Sequence, residues 1–169
     1  MLSIAISKLG CTELFFVEPG VKVNGAYYRD VLLMQKMMPA TRRMSGDFFV
    51  FQQDSAPADR AQDTVALLPR ETAELIGPEL WPANSSDLNP VDYRIWGLIQ
   101  ERVYQTSIRD IDDLKQRLIS VWSELKQSVV DKAIDQWRAR LRACVPAKGK
   151  HFGHLTKRTD KNLLKHTFS

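Results

Sequence analysis

The sequence is poor in cysteine: it has two, Cys11 and Cys144, far apart and neither in a CxxC pair. That excludes a cysteine-based zinc site and a disulfide framework, and it points to a reducing compartment. Long apolar runs are also missing. The longest resemble residues 14–17 (LFFV), far short of the ~18 residues a membrane span needs, so no membrane partner is expected. Residues 1–7 are apolar but lack a basic n-region and meet Lys8 at once, so no signal peptide is expected. No phosphate-binding glycine loop occurs, and no serine sits in a G-x-S-x-G context. The three histidines, His151, His154 and His166, all lie near the C-terminal end. His151 and His154 have an i, i+3 spacing but no neighbouring carboxylate or thiol, and they read as surface residues.

What is present suits one folded domain or a large piece of one. The 169 residues are 44% hydrophobic and 26% charged, enough to build a core. The net charge of +4 hides a split: residues 138–169 carry nine Lys/Arg against one acid, Asp160, and the remaining residues sum to −4. An acidic body with a basic end is a chain built to meet a polyanion, or one with a solvated tail.

The apolar pattern predicts strands over 1–7 and 12–17, paired as an antiparallel hairpin around Gly10. Asn24 reads as the N-cap of a helix running to about Met38, stopped by Pro39. Its aromatics Tyr27 and Tyr28 read as core rather than as base-stacking residues. Residues 47–53 (DFFVFQQ) form a continuous apolar stretch, as in an interior strand, and lead into Asp54. A helix over about 58–68 closed by Pro69, a short strand over 73–76 and a loop over 80–88 follow. Asn89 and Pro90 open a helix striped by Val91, Ile95, Leu98 and Val103, with Asp92 in its first turn. Two more amphipathic helices are expected, with capping boxes at Ser107/Asp110 and Ser128/Asp131. The residues from Leu155 on are expected to be poorly ordered.

One carboxylate at the end of an interior strand and another in a helix's first turn can converge on divalent metal ions, because α/β folds place their chemistry at the C-terminal ends of strands. Each also has an ordinary reading, as a turn former and as a partner of the helix dipole.

The stretch 51–57 (FQQDSAP) resembles the block around the second catalytic acid of Tc1/mariner-type transposases. Residues 81–97 (WPANSSDLNPVDYRIWG) resemble the block around the third, with 37 residues between Asp54 and Asp92, the mariner-like spacing with Asp as third acid. Residues 23–32 (VNGAYYRDVL) and 150–154 (KHFGH) also resemble this family. The resemblance covers about residues 1–154 as part of the catalytic domain, with 155–169 as a basic, flexible tail. It implies an α/β, RNase H-like mixed sheet flanked by helices. It further implies metal-dependent cutting and joining of DNA in the nucleus, with Asp54 and Asp92 as catalytic metal ligands for two Mg²⁺ or Mn²⁺ ions. Asp87 is the alternative acid, read as a turn or cap. Arg138, Arg142, Lys148, Lys150, Lys157 and Arg158 would contact the phosphates of transposon-end DNA, and a homodimer is admitted.

The sequence departs from the family pattern. The family's first catalytic Asp lies on a strand upstream of residues 1–7, and the helix-turn-helix DNA-binding region is also unmatched. Asp59 stands where relatives commonly have His, and Ala83 and Ser86 stand where prolines are common. The unmatched strand would be the sheet's central one, between the hairpin and the strand ending at Asp54, and its loss is expected to leave unpaired edges and an inactive site. A non-catalytic DNA-binding or dimerisation remnant, and a pseudogene translation without function, are the other readings.

Overall fold

The computed structural model describes residues 1–53, 61–77 and 85–144, and the backbone of 163–168. Strand β1 (Leu2–Ser7) is buried along its whole length. Successive residues of a strand face opposite sides of a sheet, and β1 alternates accordingly. Ser3, Ala5 and Ser7 are small, whereas Leu2, Ile4 and Ile6 join an apolar cluster on the other face. The small face lets a helix approach closely: Met37 lies against Ser3, whose hydroxyl is 3.1 Å from its sulfur.

The chain after β1 folds back as β2 (Gly10–Cys11) and β3 (Phe15–Phe16), both antiparallel to β1. The expected strand over 12–17 is thus broken. Ile6 pairs with Cys11 but Ser3 pairs with Phe15, so the returning chain carries one extra residue. Thr12 covers the break: its hydroxyl accepts from the Ala5 N–H at 2.9 Å and its own N–H donates to the Ala5 carbonyl at 2.9 Å.

Helix α1 spans residues 25–45. Asn24 caps it as expected, its side chain accepting from the Tyr27 N–H at 2.8 Å. The expected stop at Pro39 does not occur. Over Tyr28–Met37 the turns are wide, and the Met38 N–H bonds to the Leu33 carbonyl five residues back. A regular α-helix then begins at Met38, so Pro39 falls in its first turn, where a missing N–H costs little. The helix ends at Gly46, whose φ of 69° suits glycine and whose N–H bonds to the Arg42 carbonyl at 2.9 Å.

The interior strand expected over 47–53 is shorter: β4 (Val50–Gln53) carries Phe51, Gln52 and Gln53 into the interior, whereas Phe48, before it, is exposed to solvent. Helix α2 (Gln62–Glu71) contains Pro69 rather than ending before it, and Thr72 closes it with both its N–H and its hydroxyl on the Leu68 carbonyl. β5 (Glu74–Ile76) lies parallel to β4, matching the short strand expected there. Helix α3 spans 91–103, wide-turned over Val91–Ile95 and regular over Trp96–Val103. Its buried stripe is Val91, Ile95, Ile99 and Val103, so Ile99 takes the place expected for Leu98.

Helix α4 (Ile111–Ser123) is capped by Asp110, not by Ser107. Asp110 accepts from the Asp113 N–H at 2.7 Å, and Asp113 accepts from the Arg109 N–H at 3.0 Å. The arrangement resembles a capping box, with the return bond going to the residue before the cap instead of to the cap itself. Helix α5 (Gln127–Cys144) begins before the expected Ser128 cap, because the Gln127 side chain donates to the Ser7 carbonyl and to Asp131, both at 2.9 Å.

The largest departure from expectation is at the C-terminal end. Residues 163–168, expected to belong to a flexible tail, form a strand, β6 (Leu163–Phe168). It runs antiparallel to β1 and parallel to β4, giving the order β2-β1-β6-β4-β5 with β3 also on β1. The central position expected to be open is therefore filled, and the inner edges of β1 and β4 are paired. Helices cover both faces of this mixed sheet. α1 and Leu68 of α2 pack on one, with Ala5, Phe49 and Phe51. α3, α4 and α5 pack on the other, with Leu2, Ile4 and Ile6. Each fully buried Leu, Ile or Phe contributes about 1.5–3 kcal/mol, so these two clusters supply most of the favourable term.

The Asp110 cap is open to a direct check. Asp110→Ala should lower stability by about 1 kcal/mol, read as a shift of the urea midpoint at unchanged slope, whereas Ser107→Ala should leave the midpoint in place.

Candidate active site and nucleic-acid interface

The two blocks that resemble the transposase acids meet the rest of the fold through buried polar contacts. β4 ends in Gln53, the residue before Asp54, and Gln53 is buried. Its side-chain N–H donates to the hydroxyl of Tyr28, itself fully buried on α1. The Tyr28 motif and the end of β4 are thus tied together, and Tyr28 is a core residue as expected. Asp54 and the turn after it lie outside the described residues.

Asp92 is half-buried in the first turn of α3, as expected. Two features hold that turn. Asn89, buried, accepts from the Val91 N–H at 3.1 Å, and its carbonyl accepts from the Tyr93 N–H at 3.0 Å. Tyr93 then anchors the turn to α5, donating its hydroxyl to the Ala133 carbonyl. Burial pushes the Tyr93 phenol up, opposed by the Arg140 guanidinium and aided by Asp135, so it stays protonated as the donor. The first turns of α3 also contact β6, which pairs with β4 as far as Gln53. The Asp92 turn and the strand leading to Asp54 therefore border the same central strand.

Arg140 is the residue that pattern reading missed. Its guanidinium stacks 3.7 Å from the centre of the Tyr93 ring and donates to the Asp87 carbonyl at 3.0 Å. Asp87 lies in the short turn Ser86–Leu88, the turn role expected for it. Arg140 thus clamps both the turn before α3 and the first turn of α3 onto α5. The signal was in the spacing. Arg140 continues the inward stripe of Ala133 and Trp137, whereas Arg138 and Arg142 fall on the opposite, exposed face. The two exposed arginines share that face, as their spacing of four predicts. Lys148, Lys150, Lys157, Arg158, His151 and His154 lie outside the described residues.

Among the described residues no group of three or more His, Cys, Asp or Glu could hold a metal ion. Asp92, half-buried, offers a hard carboxylate oxygen, the ligand type of which Mg²⁺ takes one or two. Thiol chemistry is not offered: burial, with Asp131 adding, pushes the Cys11 thiol up to about 12. No described helix is long and apolar enough to cross a membrane.

Two outcomes follow from this geometry. Cys11 should react with iodoacetamide at about pH 8.5 at least a hundredfold more slowly than free cysteine, because only the thiolate reacts; mass spectrometry of the alkylated peptide reads the rate. Arg140→Ala should cost roughly 1–3 kcal/mol in a denaturant melt, whereas Arg138→Ala and Arg142→Ala should each stay within about 0.5 kcal/mol of the parent.

No protein-family model matches the chain. Sequence comparison does find relatives. The chain is 30% identical over 143 residues to the Tcb2 transposable-element transposase of Caenorhabditis briggsae, covering 83% of this chain and 51% of that protein. It is 29% identical over 113 residues to the Tc1 transposase of Caenorhabditis elegans, covering 67% of this chain and 40% of that protein. The chain thus spans about half the length, or less, of these relatives. Its fold matches the catalytic domain of the Mos1 mariner transposase with a TM-score of 0.77 at 22% identity, over 90% of this chain and 75% of that one. It also matches Mos1 transposase in a paired-end complex with the left transposon end, with a TM-score of 0.73 at 21% identity, over 89% of this chain and 44% of that one. The Mos1 catalytic domain has been solved with raltegravir and Mn, and with raltegravir and Mg. Sequence likeness to the nematode enzymes along most of the chain, joined to the RNase H-like fold of a mariner catalytic domain, places this chain in the Tc1/mariner family of transposases.

Proposed function

We propose that this chain forms part of the DNA-cutting and DNA-joining unit of a Tc1/mariner-type transposase, acting on transposon ends in the nucleus. One observation carries the reading: the helical turn bearing Asp92 packs against the central strand that pairs with β4, and β4 leads directly into Asp54. Asp54 and Asp92 are the metal ligands, supplied from a strand end and a first helical turn. Divalent ions held between such carboxylates would activate a water or hydroxyl and stabilise the leaving oxygen of a phosphodiester. The protein's own part is positional. Asn89, Tyr93 and Arg140 fix the Asp92 turn, and the Gln53–Tyr28 contact fixes the end of β4. The exposed pair Arg138 and Arg142, with the lysines and arginine that follow them in sequence, binds DNA phosphates without reading bases. A homodimer would bring two such units to paired ends.

Only two of the family's three acids have a match within these 169 residues. A polypeptide of these residues alone should therefore not nick transposon-end DNA in Mg²⁺ or Mn²⁺. A version extended upstream with an acid-bearing strand should regain nicking, and should lose it again in Asp54→Asn or Asp92→Asn. Nicking by the 169-residue polypeptide that disappears in Asp54→Asn would overturn the need for a third acid.

DNA affinity is tested by substitution, because truncating the basic end would also remove β6. Binding should be independent of sequence, and its log–log salt slope should fall by about 0.9 for each phosphate contact removed. Replacing Arg138, Arg142, Lys148 and Lys150 together by Ala should flatten the slope by roughly 2–4 units in fluorescence anisotropy. An unchanged slope would make the basic end a solvated surface.

A further inference from the structure

A buried polar atom without a partner is costly, and where a fold keeps one it is reserved for a water, an ion or a reacting group. β4 carries two adjacent buried glutamines that differ in this respect. The Gln53 side chain donates to the Tyr28 hydroxyl. Gln52 has no exposed surface, and only its nitrogen is used, donating to the Gln53 carbonyl. Its Oε1 has no hydrogen-bond partner among the described residues. Turning the amide round would not cure this, because its oxygen would then face a carbonyl oxygen. A strand position covered on both sides normally takes an apolar residue, so packing alone does not account for Gln52.

The orphan oxygen lies on the side of the sheet that holds the candidate site. Phe51 and Leu75 pair across β4 and β5, and both belong to the cluster under α1. The next pair, Gln52 and Ile76, faces the other way, and Ile76 packs with Leu88, Trp137 and Leu141. Leu88 ends the short turn that contacts the first turns of α3, and Asp92 follows it by four residues. Along the strand, the bond from the Gln52 amide to the carbonyl of the next residue draws the side chain towards the end that leads into Asp54. The acceptor is thus set on the face of the segment leading to Asp92, near the end of the strand leading to Asp54.

From this we propose that Gln52 is a positioning residue of the metal site: its Oε1 accepts a hydrogen bond from a water molecule carried by the divalent ion. The inference rests on the reading of Asp54 and Asp92 as the ligands of that ion. Mg²⁺ held by one or two carboxylates keeps several waters, and each has protons to give to a fixed acceptor. An amide oxygen suits the task because it accepts at every pH and adds no charge to a site already supplied with two aspartates. Groups one layer out from a metal orient what the metal holds, and removing one costs about 10–100-fold in affinity.

The test is Mn²⁺ binding by the full chain, read from the electron paramagnetic resonance signal of free Mn²⁺, with a thermal melt of each variant in the absence of metal. Gln52→Met keeps the length of the side chain and removes the acceptor, and it should weaken Mn²⁺ binding at least about tenfold. Gln52→Glu keeps an acceptor oxygen at the same place and should restore the parent's affinity or exceed it. Without metal, Gln52→Met should melt at or above the parent's midpoint, because losing the orphan acceptor offsets losing the bond to the Gln53 carbonyl. Unchanged Mn²⁺ affinity in Gln52→Met would overturn the proposal. So would equal weakening in Gln52→Met and Gln52→Glu, or a metal-free midpoint of Gln52→Met far below the parent's, since either outcome would make the amide a part of the fold alone. Asp54→Asn and Asp92→Asn separate this role from the reading beneath it. If the parent takes up no Mn²⁺, or keeps its affinity in both Asn variants, the metal assignment itself fails. If the Asn variants lose Mn²⁺ while Gln52→Met keeps it, only the role of Gln52 fails.

Discussion

The pairing of β6 between β1 and β4 is the contact on which the rest of the molecule depends. Each neighbouring strand is buried, and buried backbone polar groups need partners. With β6 in place the hairpin of β1 and the parallel pair of β4 and β5 become one sheet. Only a continuous sheet offers two broad faces, and both are used. α1 covers the face with the small residues of β1, and α3 and α5 cover the face with its branched residues. The central strand also carries the candidate site, because the first turns of α3 rest on it beside the end of β4.

Around that sheet, a few buried polar contacts decide where the functional backbone sits. A tyrosine hydroxyl meets the end of β4, and a second tyrosine meets a carbonyl of α5. An arginine lies over the second ring and reaches back to the turn before α3. Such groups are costly when unsatisfied and directional when satisfied, so they fix positions that apolar packing alone would leave free to slide. It is consistent that they cluster at the two ends from which the candidate carboxylates come. Trp122 plays the same part at the hairpin, donating its indole N–H to the Thr12 carbonyl at 2.8 Å where the returning strand bulges.

Charge is distributed by role. The arginines of α5 alternate between a clamp and an exposed face, so one short stretch serves both the architecture and the proposed DNA surface. Acidic side chains elsewhere are taken up in local ion pairs, such as Arg29 with Asp30 and Asp63, or Arg42 with Glu71. Backbone donation from Arg109 and the Arg117 guanidinium hold the Asp113 carboxyl below its ordinary range, consistent with its place in the α4 cap. These exposed pairs shape surfaces more than they stabilise them.

The sequence by itself determined whatever depends on short-range pattern. The Asn24 cap, the burial of residues 51–53 within the longer interior strand expected over 47–53, the position of Asp92 in a first turn and the shared face of Arg138 and Arg142 were all legible, because capping and periodicity act within a few residues. The family was legible too, from two blocks of side chains around Asp54 and Asp92. The tertiary structure decided what depends on distant neighbours. Pro39 and Pro69 read as stops, yet wide turns before the first, and the second's place in a final turn, let both helices pass them. Arg140 is set apart from its basic neighbours Arg138 and Arg142 only by Tyr93, which gives it a ring to cover. The strand over 163–168 was invisible in its composition, because a lysine, a histidine and a threonine side by side do not announce a central strand. What makes it one is two unpaired edges, contributed by segments more than a hundred residues away in the chain, and only the folded sheet brings those edges together.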